Sequence, residues 1–109
     1  MAKYMIQASY TPDGVKGLMK DGGSSRRTFV KGMIEKTGGT TESFYFAFGD
    51  ADVYVICDLP DLASATALSL AVNATGAVSL KTVTLISPED MDAAAKKQMS
   101  AIPTPRKPQ

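Results

Sequence analysis

The segment Gly49-Asp50-Ala51-Asp52 is the most conspicuous candidate for chemistry, because it places two carboxylates one residue apart. Carboxylates at this spacing can raise one another's pKa and act as an acid/base pair, or they can bind a hard cation. The same residues are also typical of a hairpin turn, in which glycine allows positive φ and aspartate accepts hydrogen bonds from backbone N–H groups. We favour the turn, and keep Asp50 and Asp52 as candidate ligand-binding residues.

A second candidate site follows Gly22-Gly23, where Ser24, Ser25, Arg26 and Arg27 come together. Backbone N–H groups at a helix N-terminus, with arginines beside them, can bind an anion. The segment lacks both the spacing and the lysine of a phosphate-binding loop. We therefore favour a kinked helix with a solvated basic turn, and retain Arg27 as a candidate ligand-binding residue.

Uncharged polar residues on the predicted strands form a third set. Gln7, Ser9, Thr82 and Thr84 are predicted to lie on the sheet face that the helices do not cover. On an apolar sheet they can line a pocket for a small ligand, or they can form hydrogen bonds across a subunit interface. The sequence leaves both alternatives open. Gln7, Ser9 and Tyr54 complete the candidate ligand-binding residues.

The residue types exclude several kinds of site. The chain has no histidine, so it has no Ser-His-Asp triad, no Cys-His pair and no histidine-ligated metal. Its single cysteine, Cys57, forms neither an internal disulfide nor a thiolate cluster. Cys57 lies in an apolar strand and is predicted to be a small buried residue rather than a nucleophile. We expect no metal and no cofactor.

Composition sets the class of protein. The 109 residues include 12 basic and 11 acidic side chains, a net charge of +1 that provides no overall field for a nucleic acid backbone. No apolar run approaches the roughly 18 residues of a membrane span, and Gln7 interrupts the first apolar stretch too early for a secretory signal. We expect a cytoplasmic protein with no nucleic acid partner and no membrane partner.

The first half of the chain predicts a strand followed by a broken helix. Alternation over residues 3–10 indicates a strand with Tyr4, Ile6 and Ala8 on one face. Thr11 and Pro12 are suited to begin a helix. Gly22-Gly23 should break this helix, with Ser24 or Ser25 capping the second half and Gly38-Gly39 ending it.

The second half predicts a hairpin, two helices and a further strand. The predicted elements are strands at 40–48 and 52–58, a helix at 62–75, a strand at 78–86 and a helix running to about Ser100, with Ser87 as its N-cap. The order β-α-β-β-α-β predicts an α+β, ferredoxin-like fold: a four-stranded antiparallel sheet with two helices on one face, plus a C-terminal helix. Residues 1–100 form one domain, and residues 101–109 form a flexible proline-rich tail.

Both faces of this sheet are at least half apolar. In the third strand Val53, Val55 and Cys57 alternate with Tyr54 and Ile56. An uncovered face of this kind exposes more apolar surface than monomers usually tolerate. We expect the open face to pack against a second copy, which makes the protein a homo-oligomer; the alternative is that the C-terminal helix folds back over it.

Several segments together resemble the bacterial GYD-domain family over residues 3 to about 95. They are residues 8–14, Gly22-Gly23, Gly38-Gly39, residues 44–50 and the alanine-rich helix at 62–75. The family's Gly-Asp-Tyr-Asp motif reads Gly49-Asp50-Ala51-Asp52 here, with Ala51 where tyrosine is expected. The resemblance implies a dimeric α+β barrel, a group that includes cofactor-independent monooxygenases, and it implies no settled function.

These observations leave three functions open. The first is a small oligomeric protein that binds a small molecule or serves as an accessory protein. The second is a cofactor-independent, monooxygenase-like enzyme of the barrel type that uses Tyr54, Asp52 or Arg27, which would require a polar cluster in a pocket. The third is a structural or partner-binding module that uses the proline-rich tail.

Overall fold

The computed structural model describes residues 1–97, which form an α+β fold of four strands and four helices. The elements are β1 (Ala2–Tyr10), α1 (Pro12–Asp21), α2 (Gly23–Lys36), β2 (Thr40–Phe46), β3 (Val53–Leu59), α3 (Leu62–Ala74), β4 (Val78–Leu85) and α4 (Pro88–Lys96). The predicted flexible tail at 101–109 and the predicted end of the last helix near Ser100 lie outside the described residues.

The four strands form one antiparallel sheet in the order β2-β3-β1-β4. Along β1, Tyr4, Ile6 and Ala8 are buried and the residues between them are half-buried. This confirms the predicted alternation. Strand β1 is central, so each side chain of residues 3–8 lies between a neighbour on β3 and a neighbour on β4.

The predicted break in the first helix is confirmed at Gly22. Thr11 caps α1 by accepting a hydrogen bond from the Gly14 N–H at 3.2 Å, and Gly22 follows the helix with a φ of 85°. Only glycine adopts that φ without strain. The predicted serine cap is wrong: Gly22 itself is the N-cap of α2, without a side-chain hydrogen bond, because the chain enters the helix directly from the glycine turn.

The core lies between the sheet and helices α2 and α3. Its buried members are Tyr4, Ile6, Ala8, Ile34, Val53, Val55, Cys57, Leu59, Ala65 and Leu68. Cys57 is fully buried, as predicted, and burial raises the pKa of its thiol to about 11. Alternate residues of β3 therefore face the helices, and the residues between them, such as Tyr54 and Ile56, lie on the other face of the sheet.

Strand β2 is shorter than predicted. The ladder ends at Phe46 instead of residue 48, because the Ala47 N–H donates to the Asp52 carbonyl at 2.8 Å and closes the turn there. Phe48 is fully exposed beyond the sheet.

The prediction for Thr82 and Thr84 is wrong. Thr82 lies opposite Ile6 and Thr84 lies opposite Tyr4, so both share the face of the buried β1 residues. The Thr82 hydroxyl contacts the Ser69 hydroxyl of α3 at 3.0 Å. Thr82 and Thr84 of the edge strand β4 therefore face the helices, and the Ser69 hydroxyl of α3 gives Thr82 a polar partner.

Helix α4 does not bury the open face within residues 1–97. Ser87 caps it, as predicted, by accepting from the Asp90 N–H at 3.0 Å, but no residue of the helix is buried. We call the sheet face opposite the helices the open face; it carries Met5, Gln7, Ile56 and Val83 among others. None of the helices described in residues 1–97 is long and apolar enough to span a bilayer.

Candidate functional site

The open face brings together two of the predicted ligand-binding residues. Gln7 lies directly opposite Tyr54 on β3 and Lys81 on β4, and Tyr45 of β2 extends the same row. The neighbouring row is apolar, with Met5 between Ile56 and Val83. Ser9 lies near the end of the face, opposite Ser79. Neither of the two pockets described below is lined by residues of this face.

Asp50 and Asp52 are not brought together as a catalytic pair. Asp50 is exposed in the turn, whereas Asp52 accepts a hydrogen bond from the backbone N–H of Tyr10 at 2.8 Å. The Asp52 N–H also donates to the Ala8 carbonyl at 2.8 Å. The carboxylate thus holds the turn against β1. Within residues 1–97, no three acidic or cysteine side chains are grouped closely enough to hold a metal.

Arg27 lies on the other side of the sheet. It borders a shallow depression with Gly23, Ser24, Phe44 and Phe46, at the start of α2. The aromatic rings of Phe44 and Phe46 pack edge to face with centroids 5.4 Å apart. Arg27 is therefore separated from Gln7 and Tyr54, and the predicted ligand-binding residues occupy three different places.

An apolar pocket lies on the helix face, between α2, α3 and the sheet. Its volume is about 230 Å³. It is open to the surface on one side, where exposed Phe29 and Thr75 border it. The lining residues are Ile6, Ala8, Tyr10, Arg26, Phe29, Val30, Met33, Phe44, Val53, Val55, Leu68, Val72, Thr75, Ala77, Val78 and Leu80. We call this space the helix-face cavity.

The helix-face cavity is apolar except at one end. Ile6, Val53 and Val55 form its buried floor, while Phe29 and Thr75 are exposed where it reaches the surface. The Thr75 hydroxyl is already committed to the Val72 carbonyl at 2.7 Å. The lining residues with polar groups left for a ligand are Tyr10 and Arg26.

Tyr10 and Arg26 are electrostatically coupled. Burial raises the pKa of the Tyr10 hydroxyl, the Arg26 guanidinium opposes that shift, and the Asp52 carboxylate adds to it. Tyr10 therefore stays protonated at neutral pH and is available as a hydrogen-bond donor. The Nη2 of Arg26 lies 3.5 Å from the carboxylate of Asp21.

Sequence reasoning missed Tyr10, and it named Arg26 in the candidate anion site after Gly22-Gly23 but retained only Arg27 as a ligand-binding residue. Tyr10 comes two residues after Ala8, so the alternation along β1 places it on the same face as Tyr4, Ile6 and Ala8. The alternation alone is therefore enough to predict that Tyr10 faces the helices. Arg26 and Arg27 are adjacent on a helix and point about 100° apart, so spacing alone does not decide which of them faces the sheet.

One family model matches most of the chain. A model described as GYD domain matches residues 4–95. The chain belongs to the GYD-domain family. This confirms the resemblance seen in its glycine pairs, its aromatic strand and its alanine-rich helix. No curated protein and no solved structure matches the chain.

The turn that carries the family motif has a structural role in this GYD domain. Ala51, which stands where tyrosine is expected, is buried with 4% of its surface exposed. The residue after it, Asp52, is held by the Tyr10 N–H. The Ala51 side chain has no hydroxyl, and the Asp52 carboxylate already accepts a hydrogen bond from β1. The turn therefore offers neither a tyrosine hydroxyl nor two free carboxylates.

Proposed function

We propose that this GYD domain binds a small apolar molecule in the helix-face cavity. The observation that carries the proposal is the cavity itself, which is about 230 Å³ in volume and apolar at its floor. For scale, an enclosed apolar cavity of about 150 Å³ takes up benzene, and the helix-face cavity is larger but reaches the surface. Ligand pockets are characteristically apolar with a few placed polar groups, and Tyr10 and Arg26 match that pattern.

Binding is favoured over catalysis by the protonation of the nearby groups. A cofactor-independent enzyme needs a group that exchanges protons near neutral pH. The pKa of Tyr10 is raised by burial, and the pKa of the Cys57 thiol is raised to about 11, so both hold their protons. No carboxylate lines the cavity among the described residues. The monooxygenase-like alternative therefore depends on the Tyr10 hydroxyl alone, as a hydrogen-bond donor to a reacting molecule.

The domain is further proposed to be a homo-oligomer of ferredoxin-like, barrel-forming subunits. The strand order β2-β3-β1-β4, with both helical connections on one face, supports the ferredoxin-like assignment. The apolar row Ile56-Met5-Val83 supports burial of the open face by a second copy. Tyr45, beside this row, is 71% exposed in the single chain. Two such faces in contact would remove these side chains from water.

Filling the helix-face cavity tests the binding proposal. Val72 lines the cavity from α3, while Leu70 lies on the same helix with 68% of its surface exposed and outside the lining. We expect Val72→Phe to weaken binding of the neutral probe 2-naphthamide at least about tenfold, because the added ring occupies ligand space. Leu70→Phe adds the same ring to solvent and should leave the dissociation constant unchanged.

The measurement is a fluorescence titration of the full chain with 2-naphthamide, with circular dichroism to establish that both variants fold. No saturable binding to the unmodified chain would contradict the proposed function. Equal binding by the Val72→Phe variant and the unmodified chain would place the probe elsewhere and would also contradict it.

A further inference from the structure

Arg26 lines the helix-face cavity and brings a positive charge to it. Among the described residues, its Nε is buried and has no hydrogen-bond partner. The contact of its Nη2 with Asp21, at 3.5 Å, is at the limit of a hydrogen bond, and the Asp21 side chain is half exposed. A buried N–H without a partner costs free energy, so the present contacts of Arg26 leave its hydrogen-bonding capacity unsatisfied.

The position of Arg26 in its helix adds to this observation. Arg26 lies in the first turns of α2, which has no acidic residue in its first turn and no side-chain cap. A helix N-terminus carries partial positive charge, so a cation there is unfavourable unless an anion lies nearby. Arg27 follows directly and adds a second positive charge. The beginning of α2 thus concentrates positive potential beside the cavity.

The negative charges near Arg26 are already engaged or screened. Asp52 directs its carboxylate at the Tyr10 N–H, at 2.8 Å, and Asp21 is half exposed to solvent. Exposed ion pairs contribute little because water screens them. A ligand anion at the mouth of an apolar cavity would meet the guanidinium in a less polar environment, where a charged hydrogen bond is stronger. The protonated Tyr10 hydroxyl is a second donor lining the same cavity.

Resting on the proposed function, we infer that the ligand is an amphipathic anion: a body of one or two rings, or an aliphatic group of similar size, bearing one carboxylate that binds to Arg26. The volume of about 230 Å³ sets the size of the apolar body. The guanidinium of Arg26, which lines the cavity, sets the charge of the polar end. The ligand enters with its apolar end toward Ile6 and Val55 and leaves its carboxylate near the start of α2.

A matched pair of probes and a matched pair of variants test this inference. The probes are 2-naphthoate and 2-naphthamide, which share a ring system and differ in charge. The variants are Arg26→Gln and Arg27→Gln, which each remove one positive charge from the same turn; only Arg26 lines the helix-face cavity. Isothermal titration calorimetry at pH 7.5, with the unmodified full chain and both variants, gives six dissociation constants, and circular dichroism checks folding.

We expect the unmodified chain to bind 2-naphthoate about tenfold more tightly than 2-naphthamide, as befits one charge-assisted hydrogen bond. Arg26→Gln should abolish that preference by weakening 2-naphthoate binding much more than 2-naphthamide binding, whereas Arg27→Gln should change either constant by less than about twofold. Should Arg26→Gln fail to fold, Arg26→Lys keeps the charge without the Nε donor and should lose part of the preference.

The outcomes separate this inference from the function on which it rests. Equal affinity of the unmodified chain for both probes would overturn the anion preference and leave the binding function in place. Equal losses in the Arg26 and Arg27 variants would also overturn it, since they would show an effect of overall charge. Binding of neither probe would contradict the proposed function, and the inference would fail with it.

Discussion

The carboxylate of Asp52 accepts a hydrogen bond from the backbone N–H of Tyr10 at 2.8 Å. This contact joins the turn that carries the family motif to the last residue of β1, and Tyr10 in turn lines the helix-face cavity. The turn and the cavity are therefore linked through one residue. In this chain the motif aspartate holds the backbone of Tyr10, a lining residue of the helix-face cavity.

Removing the Asp52 carboxylate should destabilise the fold. Asp52→Ala leaves the Tyr10 N–H without its acceptor, and we expect the free energy of unfolding to fall by about 1–2 kcal/mol. Asp50→Ala is the control, because Asp50 is exposed in the same turn, and it should change stability by less than about 0.5 kcal/mol. Urea unfolding of both variants measures the difference. Equal losses would show that the turn, and not the hydrogen bond, is responsible.

Two glycines should respond in opposite ways to alanine. A Cβ at Gly14 would clash with the backbone carbonyl of Ala77, which also accepts from the Thr11 N–H at 3.0 Å. Gly14→Ala should therefore cost at least about 2 kcal/mol. Gly32, within α2, has no neighbour within 4 Å of such an atom, so Gly32→Ala should add up to about 1 kcal/mol. Thermal unfolding monitored by circular dichroism checks both, and a stable Gly14→Ala variant would contradict the close approach of α1 to β4.

The thiol of Cys57 should make stability depend on alkaline pH. Burial, and then the nearby Asp58 carboxylate, raise its pKa from 9.0 to about 11, against a smaller opposing effect of Lys3. The unfolded chain loses this proton at lower pH than the folded chain. The stabilisation is therefore complete below pH 9 and is lost as the pH rises toward 11, by about 2–3 kcal/mol.

Denaturant unfolding between pH 8 and pH 11 measures this loss, with Cys57→Ala as the reference. Tyr10 and Lys3 also have raised pKa values and titrate in both proteins, so only the difference in slope between the two reports on Cys57. Parallel pH profiles would contradict the assignment, as would rapid reaction of Cys57 with a thiol reagent in the native state.

A charge on the open face should separate the proposed oligomer. Val83 lies in the apolar row beside Met5 and is 38% exposed in the single chain, so glutamate fits there without a clash. Val83→Glu should shift the protein to monomer, because pairing two faces would bury the added charge. Leu70→Glu, on exposed α3, should leave the assembly unchanged. Size-exclusion chromatography with light scattering gives the mass, and a monomeric unmodified chain would contradict the oligomer.

The sequence predicted most of the fold because local signals agreed. Alternation around Ile6, the cap at Thr11 and the break at Gly22 each depend on neighbours along the chain, and the structure confirms them. The face of β4 was assigned wrongly, since Thr82 pairs with Ile6 across strands and its polarity alone suggested the other face. The register between β1 and β4 decides which face Thr82 occupies, because a shift of one residue moves every side chain of a strand to the other face. That register depends on residues far apart in the chain.

The helix-face cavity could not be predicted from the sequence either, because it too depends on contacts between distant parts of the chain. It lies between α2 and α3, and its volume depends on how far the packing holds the two helices apart. The alternation of β1 points to Tyr10, and the basic pair after Gly22 contains Arg26, but no spacing brings these two residues together. That Arg26 and not Arg27 borders the cavity depends on the rotation of α2 about its axis.

The position of the bound molecule most directly tests whether the helix-face cavity is the binding site. In a methyl-detected NMR titration of the full chain with 2-naphthamide, the cavity account predicts saturable shifts for the methyl groups of Val30 and Val72, which line the helix-face cavity. The methyl groups of Ile56 and Val83 on the open face should keep their positions. Shifts confined to Ile56 and Val83 would contradict the account and return the site to the face that carries Gln7 and Tyr54.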